Sequence, residues 1–342
     1  MECAILHFAK PSWANSILNK GRMVEHNPIS TTTPIFSIII AVYGDWTPLD
    51  QCLRSLEQQI NGPSFEVIVI DDGSKDEAPE SIRRWGRCYP LTIVRQGHAG
   101  ISAARNRGAQ ISKGMVLLFV DADSKLQTDC LAMLGSAITH YTQHNYFQLH
   151  LTGDRSGIVG KAEELRLITL QNHLLQPDGR IRYLNTAGFA LRRTRADIEG
   201  GLFDPVAVRA EDTLLLANLM RAGELPLFVP DAVVQHAIPL SLTKCLLKDI
   251  RFSHLDGTTY DLIASKGVKL RVTPRERLKM LASMWKTSRQ PTIGRLAWFV
   301  LAARQTLRLL VLFLRSIRLW RSSPTPEQNR IPRELHDKTA SK

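Results

Sequence analysis

Residues 117–124 read LLFVDADS, an apolar run that ends on Asp121 and Asp123, one residue apart. Two carboxylates so close repel each other unless a cation lies between them. Hard oxygen ligands of this kind suit Mg2+ or Mn2+, with diphosphate oxygens completing the shell. In extended backbone, residues i and i+2 point to the same side, so the spacing predicts both carboxylates aimed at one place. A second pair, Asp71 and Asp72, closes the run VIVIDDGS. Either pair alone reads equally as turn formation, for which aspartate is suited; two pairs at strand ends read as a site. Farther along, Glu211 and Asp212 open an apolar helical segment. The helix dipole there favours ionised carboxylates, and plain capping is the competing role. Arg105 follows Gly97 and Gly100, which permit close approach of a ligand to backbone. His236 lies in an alternating strand, where a structural histidine is the ordinary reading.

The elements that must position these residues show as a rhythm. IFSIIIAVY (35–43), FEVIVI (65–70), LTIVR (91–95) and MVLLFV (115–120) are short β-branched runs, separated by helical segments at 48–60, 77–87 and 101–112. Such alternation predicts a parallel sheet with crossover helices on its faces. Ligands of such a sheet bind beyond the carboxyl ends of its strands, where both acid pairs fall. Thr47 and Pro48 predict a helix start, with Thr47 as N-cap and Pro48 at the first helical position. Past residue 150 the rhythm breaks. GIVGKAEELRLI and YLNTAGFALRR read as strands, EDTLLLANLMRAG as a helix ending at Gly223, and LFVPDAVVQHA as strand, turn and strand. From 241 the pattern is helical to 321. Residues 1–33 read as a loosely ordered lead-in, and the polar stretch 322–342 reads as a disordered tail.

The chain has 342 residues and a net charge of +12, which calls for an anionic partner. Eleven bases and only Glu276 as an acid lie between residues 275 and 321, so the charge belongs to the C-terminal helices and not to the strand ends. Five cysteines, odd in number and without a C-x-x-C pair, argue against structural zinc and a disulfide framework and for a reducing compartment. The opening MECAILHFAKPSW carries Glu2 and His7 where a secretory signal needs basic and apolar residues, so none is expected. No uncharged apolar run of about 18 residues predicts a spanning helix.

Taken in order, FSIIIAVYGDWTPLDQCLRSLEQQ, EVIVIDDGSKD, GHAGISAARNRGAQISKG, LLFVDAD and FALRR…GLFDP…AEDTLLLANLMRAG…VQHA resemble a family 2 glycosyltransferase of the GT-A fold over residues 34–240. The resemblance implies an α/β fold with a mostly parallel central sheet flanked by helices, here followed by a helical extension over 241–321. It implies an inverting hexosyltransferase, using Mn2+ or Mg2+, that takes its sugar from a nucleotide-sugar donor. Asp121 and Asp123 match the D-x-D motif, Asp123 on the metal and Asp121 near the ribose or a metal-bound water. Asp72 matches the acid that reads the base, commonly uracil. Ala41, Val42 and Tyr43 match the strand end that lines base and ribose, and Arg105 lies in the A-R-N block near the nucleotide. Glu211 and Asp212 match the E-D pair at the acceptor side, with Asp212 as catalytic base, and His236 matches a histidine that in some relatives approaches the metal or diphosphate. The family usually has proline at 41 and asparagine at 44, where this chain has Ala41 and Gly44. The Q-x-x-R-W block of processive synthases is missing, which favours transfer of a single sugar to a glycan, a lipid-linked acceptor or a polysaccharide precursor.

Two other classes compete. A phosphatase of the haloacid dehalogenase type also carries D-x-D at a strand end, but after its first strand and with Thr or Val where this chain has Lys125. A non-catalytic basic module binding nucleotide or membrane on a transferase scaffold would have no reason to keep Asp72, Asp121, Asp123 and Asp212. Nucleic acid is not an expected partner. In RLAWFVLAARQTLRLLVLFLRSIRLWR (295–321), Arg304, Arg308, Arg315 and Arg318 share a helix face about 80° wide, opposite Phe299, Leu301, Leu310, Phe313, Leu314 and Ile317. That pattern predicts a helix lying in the interface of an anionic membrane, on its cytoplasmic face. A helix packing its apolar stripe on the catalytic domain is the alternative.

Overall fold

Runs such as SIIIAV become central strands because β-branched side chains fit a pleated surface that is covered on both sides. The computed structural model describes residues 33–194, 199–205, 210–236, 241–247, 250, 263 and 274–322. With strands numbered in chain order, β1 (Phe36–Val42), β2 (Phe65–Asp71), β3 (Leu91–Arg95) and β4 (Val116–Phe119) pair in parallel. β5 (Ser124–Leu126), β6 (Tyr146–Gly153), β7 (Phe189–Arg192) and β8 (Leu227–His236) extend the sheet to the order β3-β2-β1-β4-β7-β6-β8-β5. β7 is antiparallel to β4 and β6, β8 is parallel to β6, and β5 is antiparallel to β8.

Among the described residues, the helices that frame the sheet and follow it include α1 (Thr47–Glu57), α2 (Glu80–Arg83), α3 (Ile101–Ile111), α4 (Cys130–His140), α5 (Ile158–Leu174), α6 (Glu211–Ala222), α7 (Pro274–Thr287) and α8 (Arg295–Ser322). Alternation along β1 sorts them onto two faces. Ile38, Ile40 and Val42 pack with Leu49 and Leu53 of α1 and Leu131 of α4. Ile39 points the other way, into a cluster with Phe119, Ala109 of α3 and Leu215 and Leu219 of α6. Each such large apolar side chain contributes about 1.5–3 kcal/mol on burial. The strand ends that carry the acids are therefore held from both sides.

Several expectations change. The segment expected as a strand at GIVGKAEELRLI is the start of α5: Val159, Ala162, Leu165 and Thr169 are buried at helical spacing, and Arg166 pairs with Glu163 at i,i+3. LFVPDAVVQHA is the single strand β8, in which a register shift opposite Leu149 and His150 absorbs Pro230, whose carbonyl lies 3.1 Å from His150 Nδ1. Thr47 is the first helical residue and not the N-cap; its N–H donates to Asp45 Oδ1 at 2.8 Å, so Asp45 satisfies the helix start. Segment 77–87 condenses to α2 and one 3-10 turn. The strand β6, the short β5 and the helix α4 were not anticipated.

Beyond the sheet, Ile293, Ala297 and Leu301 pack on Ala162 and Leu165 of α5. Leu301 thus lies on the packed side of α8, not with the exposed apolar residues. The expected lead-in over 1–32, most of the expected helical stretch 248–273 and the tail after 322 lie outside the described residues. Among the described residues, no helix is long and apolar enough to cross a membrane.

Candidate active site

Asp121 and Asp123 leave the end of β4 in a turn, closed by Ser124 N–H donating to the Asp121 carbonyl at 3.0 Å. The two carboxylates therefore converge through a turn and not, as extended backbone would have it, through alternation. The antiparallel pairing of β5 with β8 sets His236 opposite Ser124. Ligand atoms of Asp121, Asp123 and His236 all lie within 4.8 Å of one another, and each residue is half-buried. His236 Nε2 is 3.4 Å from Asp123 Oδ1. Residues 115 positions apart in sequence thus share one corner because two strands pair.

Beneath this corner lies Arg105 of α3, its side chain 3% exposed. One guanidinium nitrogen donates to Asp121 Oδ1 at 2.8 Å and the other to Glu211, at the start of α6. Burial works against its charge, but Asp121 and Glu211 hold its pKa above the ordinary arginine value. Arg105 is thus a strut between the Asp121 corner and the E-D pair, with its guanidinium carbon 5.6 Å from the centroid of the Phe203 ring. Ala210, just before that pair, sits in the left-handed region at φ 59°, a conformation that costs a residue with a Cβ roughly 1–2 kcal/mol. Asp212 is half-buried, and its Oδ1 accepts from Thr213 N–H at 2.6 Å. Burial, then the negative charge of Glu211, push its pKa up to about 7, against the pull of Arg105 and Thr213.

At the other end, Ala41, Val42 and Tyr43 close β1, and Asp72 N–H donates to the Val42 carbonyl at 2.9 Å. Tyr43 is 62% exposed and stacks on His98 with ring centroids 4.3 Å apart. Asp72 is buried. Its Oδ1 accepts from Gln96 Nε2 at 2.8 Å and Ala99 N–H at 2.9 Å, and its Oδ2 from Gly100 N–H at 2.9 Å. Gly73 makes this loop possible: at φ +82°, a Cβ there would meet His98 N at 2.8 Å.

The sequence did not single out the α5 wall or His98. Arg166 Nε donates to Glu163 at 3.0 Å. Burial would raise the Glu163 pKa, but Arg166, then His236 and Arg304, hold it at about 2. The Tyr183 hydroxyl is buried without a hydrogen bond of ordinary geometry; burial pushes its pKa up to about 12, with Asp212 adding to the rise and Arg166 opposing it. The i,i+3 spacing of Glu163 and Arg166 has meaning only on a helix, and their segment reads in sequence as a strand.

The sequence of residues 37–200 matches the profile of Glycosyl transferase family 2. The chain is 35% identical over 96 residues to the uncharacterized glycosyltransferase YibD of Escherichia coli (strain K12), covering 28% of each chain. It is 34% identical over 98 residues to glycosyltransferase AglE of Haloferax volcanii, covering 28% of this chain and 32% of that one. The matched stretches span less than a third of these relatives. Among solved structures, the mannosyltransferase PcManGT of Pyrobaculum calidifontis, in complex with GDP-Man and Mn2+, superposes with a TM-score of 0.50 at 17% identity, covering 90% of this chain and 86% of that one; this likeness concerns the fold. With its sheet order and D-x-D corner, the chain belongs across residues 37–200 to glycosyl transferase family 2, on the GT-A fold.

Proposed function

We propose that this protein is an inverting glycosyltransferase that moves a single sugar from a UDP-sugar to a hydroxyl of a glycan or lipid-linked acceptor, assisted by Mn2+ or Mg2+. One observation carries the reading: two carboxylates and an imidazole within 4.8 Å of one another at the β4 end, joined through Arg105 to the Glu211–Asp212 pair. The donor set of Asp121, Asp123 and His236 fits a divalent ion of the Mn2+ or Mg2+ type, and its partial exposure leaves room for substrate oxygens. When bound, such an ion takes up negative charge on the leaving diphosphate.

The remaining work falls to this chain. Asp212, its pKa pushed up to about 7, is basic enough to accept the proton of an acceptor hydroxyl near neutral pH. The positive charge of Arg105, paired with Glu211, limits how far the Asp212 pKa rises. Attack from the side of Asp212 in one displacement inverts the anomeric centre. Ala41, Val42 and Tyr43, with Asp72 behind them, line the nucleoside end. PcManGT, which shares the fold, is solved with a nucleotide-sugar and Mn2+, in keeping with this division of labour. Residues 34–240 would form the catalytic domain and 241–321 its helical extension.

The same reading places the protein as a peripheral one on the cytoplasmic face of a membrane. Leu296, Phe299, Leu310 and Leu314 are exposed and fall within a stripe about 60° wide on α8. They face away from Ala297 and Leu301, which pack on α5. An apolar stripe on a strongly basic helix fits the interface of an anionic bilayer, where a lipid-linked acceptor would be met; the side chains of Arg308, Phe313, Arg315, Ile317 and Arg318 lie outside the described residues. The decisive experiment is a screen of UDP-, GDP- and dTDP-sugars for Mn2+-dependent turnover, with the anomeric configuration of the product read by NMR. No turnover and no Mn2+-dependent binding with any donor would refute the transferase; a retained configuration would refute the single displacement.

A further inference from the structure

Apolar side chains left in the open on α7 continue the stripe on α8. Leu278 and Leu281 are 69% and 47% exposed, and with the half-buried Trp285 they stand at i, i+3 and i+7 on one face of α7. Met284 packs with Ala297 and Leu301 against α5, so another side of α7 holds it to the rest of the protein. On α8 the exposed stripe begins at Leu296 and Phe299. The two stripes meet at an aromatic junction. The Trp285 ring lies 6.3 Å from Phe299 and 5.1 Å from Trp298, both edge-on, and the Arg295 guanidinium covers Trp285 at 5.2 Å. Beside the α7 stripe, the exposed Arg275, Lys279 and Lys286 fall within about 40° of one another. Glu276, the one acid in both helices, pairs with Arg182 at 3.1 Å.

We propose that α7 is a second membrane-contacting helix, its leucines and the Trp285 junction entering the acyl boundary and its row of cations meeting acidic headgroups; this rests on the membrane reading of α8 above. Leucine and tryptophan beside a basic row are what an anionic interface takes up. Tryptophan suits that depth because its ring is apolar and its N–H polar. A second copy of the chain fits the surface poorly. A two-fold contact sets one patch on itself, which would bring Arg275, Lys279 and Lys286 against their own images with only the already paired Glu276 to answer them. An acidic bilayer covers the stripe and neutralises the row together. Membrane binding therefore draws on α7 as well as on α8.

The test is co-sedimentation of the full chain with phosphatidylcholine vesicles, with and without phosphatidylserine, for the wild type and for Leu278→Gln combined with Leu281→Gln. Glutamine keeps the helix propensity of leucine. Loss of two leucines from the acyl boundary should lower the partition coefficient into acidic vesicles at least about tenfold. The thermal midpoint should stay in place, because both side chains are exposed. Fluorescence gives a second reading: lipids brominated on their acyl chains should quench the wild type, and Trp285→Phe should lose part of that quenching. A double variant that binds acidic vesicles as tightly as the wild type overturns the proposal and leaves the α8 reading standing. Quenching unchanged in Trp285→Phe does the same, and it decides the matter if the double variant's midpoint falls. A wild type that self-associates through these leucines without binding lipid gives the surface to a second copy and overturns the proposal. A wild type that binds no vesicle overturns the membrane reading itself and leaves the transferase untouched.

Discussion

Replacing Arg105 with methionine removes a guanidinium that is 3% exposed while keeping most of its aliphatic stem. Glu211, whose side chain is 10% exposed, then keeps its charge without the cation that pairs with it; a buried charge stripped of its partner costs about 3–5 kcal/mol. Asp121 loses the same partner but is 29% exposed, so water screens it and its share is on the order of 0–1 kcal/mol. The expected loss is about 4 kcal/mol, a large part of the roughly 5–15 kcal/mol that holds a domain together. Urea unfolding followed by circular dichroism measures it through the midpoint at constant slope. Arg105→Lys keeps the charge but not the fork that reaches both acids, so it should lie between wild type and Arg105→Met. A loss under about 1 kcal/mol for Arg105→Met with unchanged slope would refute the strut. A second readout is independent of stability. Arg105 opposes the rise in the Asp212 pKa, so the pH dependence of any residual transfer should move upward in Arg105→Lys or Arg105→Met.

Asp123→Ala should abolish Mn2+-dependent nucleotide binding by calorimetry while leaving the thermal transition in place; equal affinity with and without Mn2+ in both proteins would remove the metal corner. Asp212→Asn should bind donor normally but transfer at least ~10²-fold more slowly, the low end for loss of a general base. Because a base acts deprotonated and Asp212 is pushed up to about 7, wild-type kcat/KM should rise with pH through that region and level above it; a flat profile from pH 5 to 8 would place the base elsewhere. Changing Leu296, Phe299, Leu310 and Leu314 together to serine should end flotation with anionic liposomes without lowering the unfolding midpoint, since all four are exposed; a lowered midpoint with no lipid binding by wild type would mean the stripe packs on protein.

The parallel half of the sheet was legible because its signals are local. β-branched runs of buried-strand length specify β1 to β4, and ligands of a parallel sheet bind at its strand ends, so the sequence alone puts Asp72 and Asp121 on one edge of the sheet. The metal corner was legible only in part. The structure brings Asp121, Asp123 and His236 together, but Asp121 and Asp123 converge through a turn, which period-two reasoning does not describe. α5 was misread because Ile158, Val159 and the flanking glycines suit a strand locally, while the buried spacing of Ala162, Leu165 and Thr169 takes more than two turns to declare itself. β6 was missed because polar residues interrupt it: Gln148 is fully buried and satisfied by the carbonyls of Leu149 and Gly188, which composition cannot reveal. His98 carried no signal of its own, since its place on Tyr43 depends on a loop folding back onto Asp72.

The family match ends at residue 200, yet Glu211, Asp212 and His236 lie beyond it. What binds them to the matched half is specific and physical. His236 is placed by the pairing of β8 with β5, and Glu211 by the Arg105 guanidinium. The α5 wall then connects the site to the C-terminal helix. Arg304 is near enough to Glu163 to lower its pKa, and Glu163 in turn feels His236. On a helix turning about 100° per residue, Arg304 shares a face with Ala297 and Leu301, while Leu296, Phe299, Leu310 and Leu314 point the other way. One side of α8 therefore borders the wall beside the metal corner, and the other is the apolar stripe proposed to meet lipid. On the proposed reading, an acceptor held in that bilayer would approach along the helix carrying the stripe, and the packing of α8 on α5 would bear on which hydroxyl reaches Asp212. Small residues at that contact fix the orientation: Ala162 and Ala297 are both fully buried there.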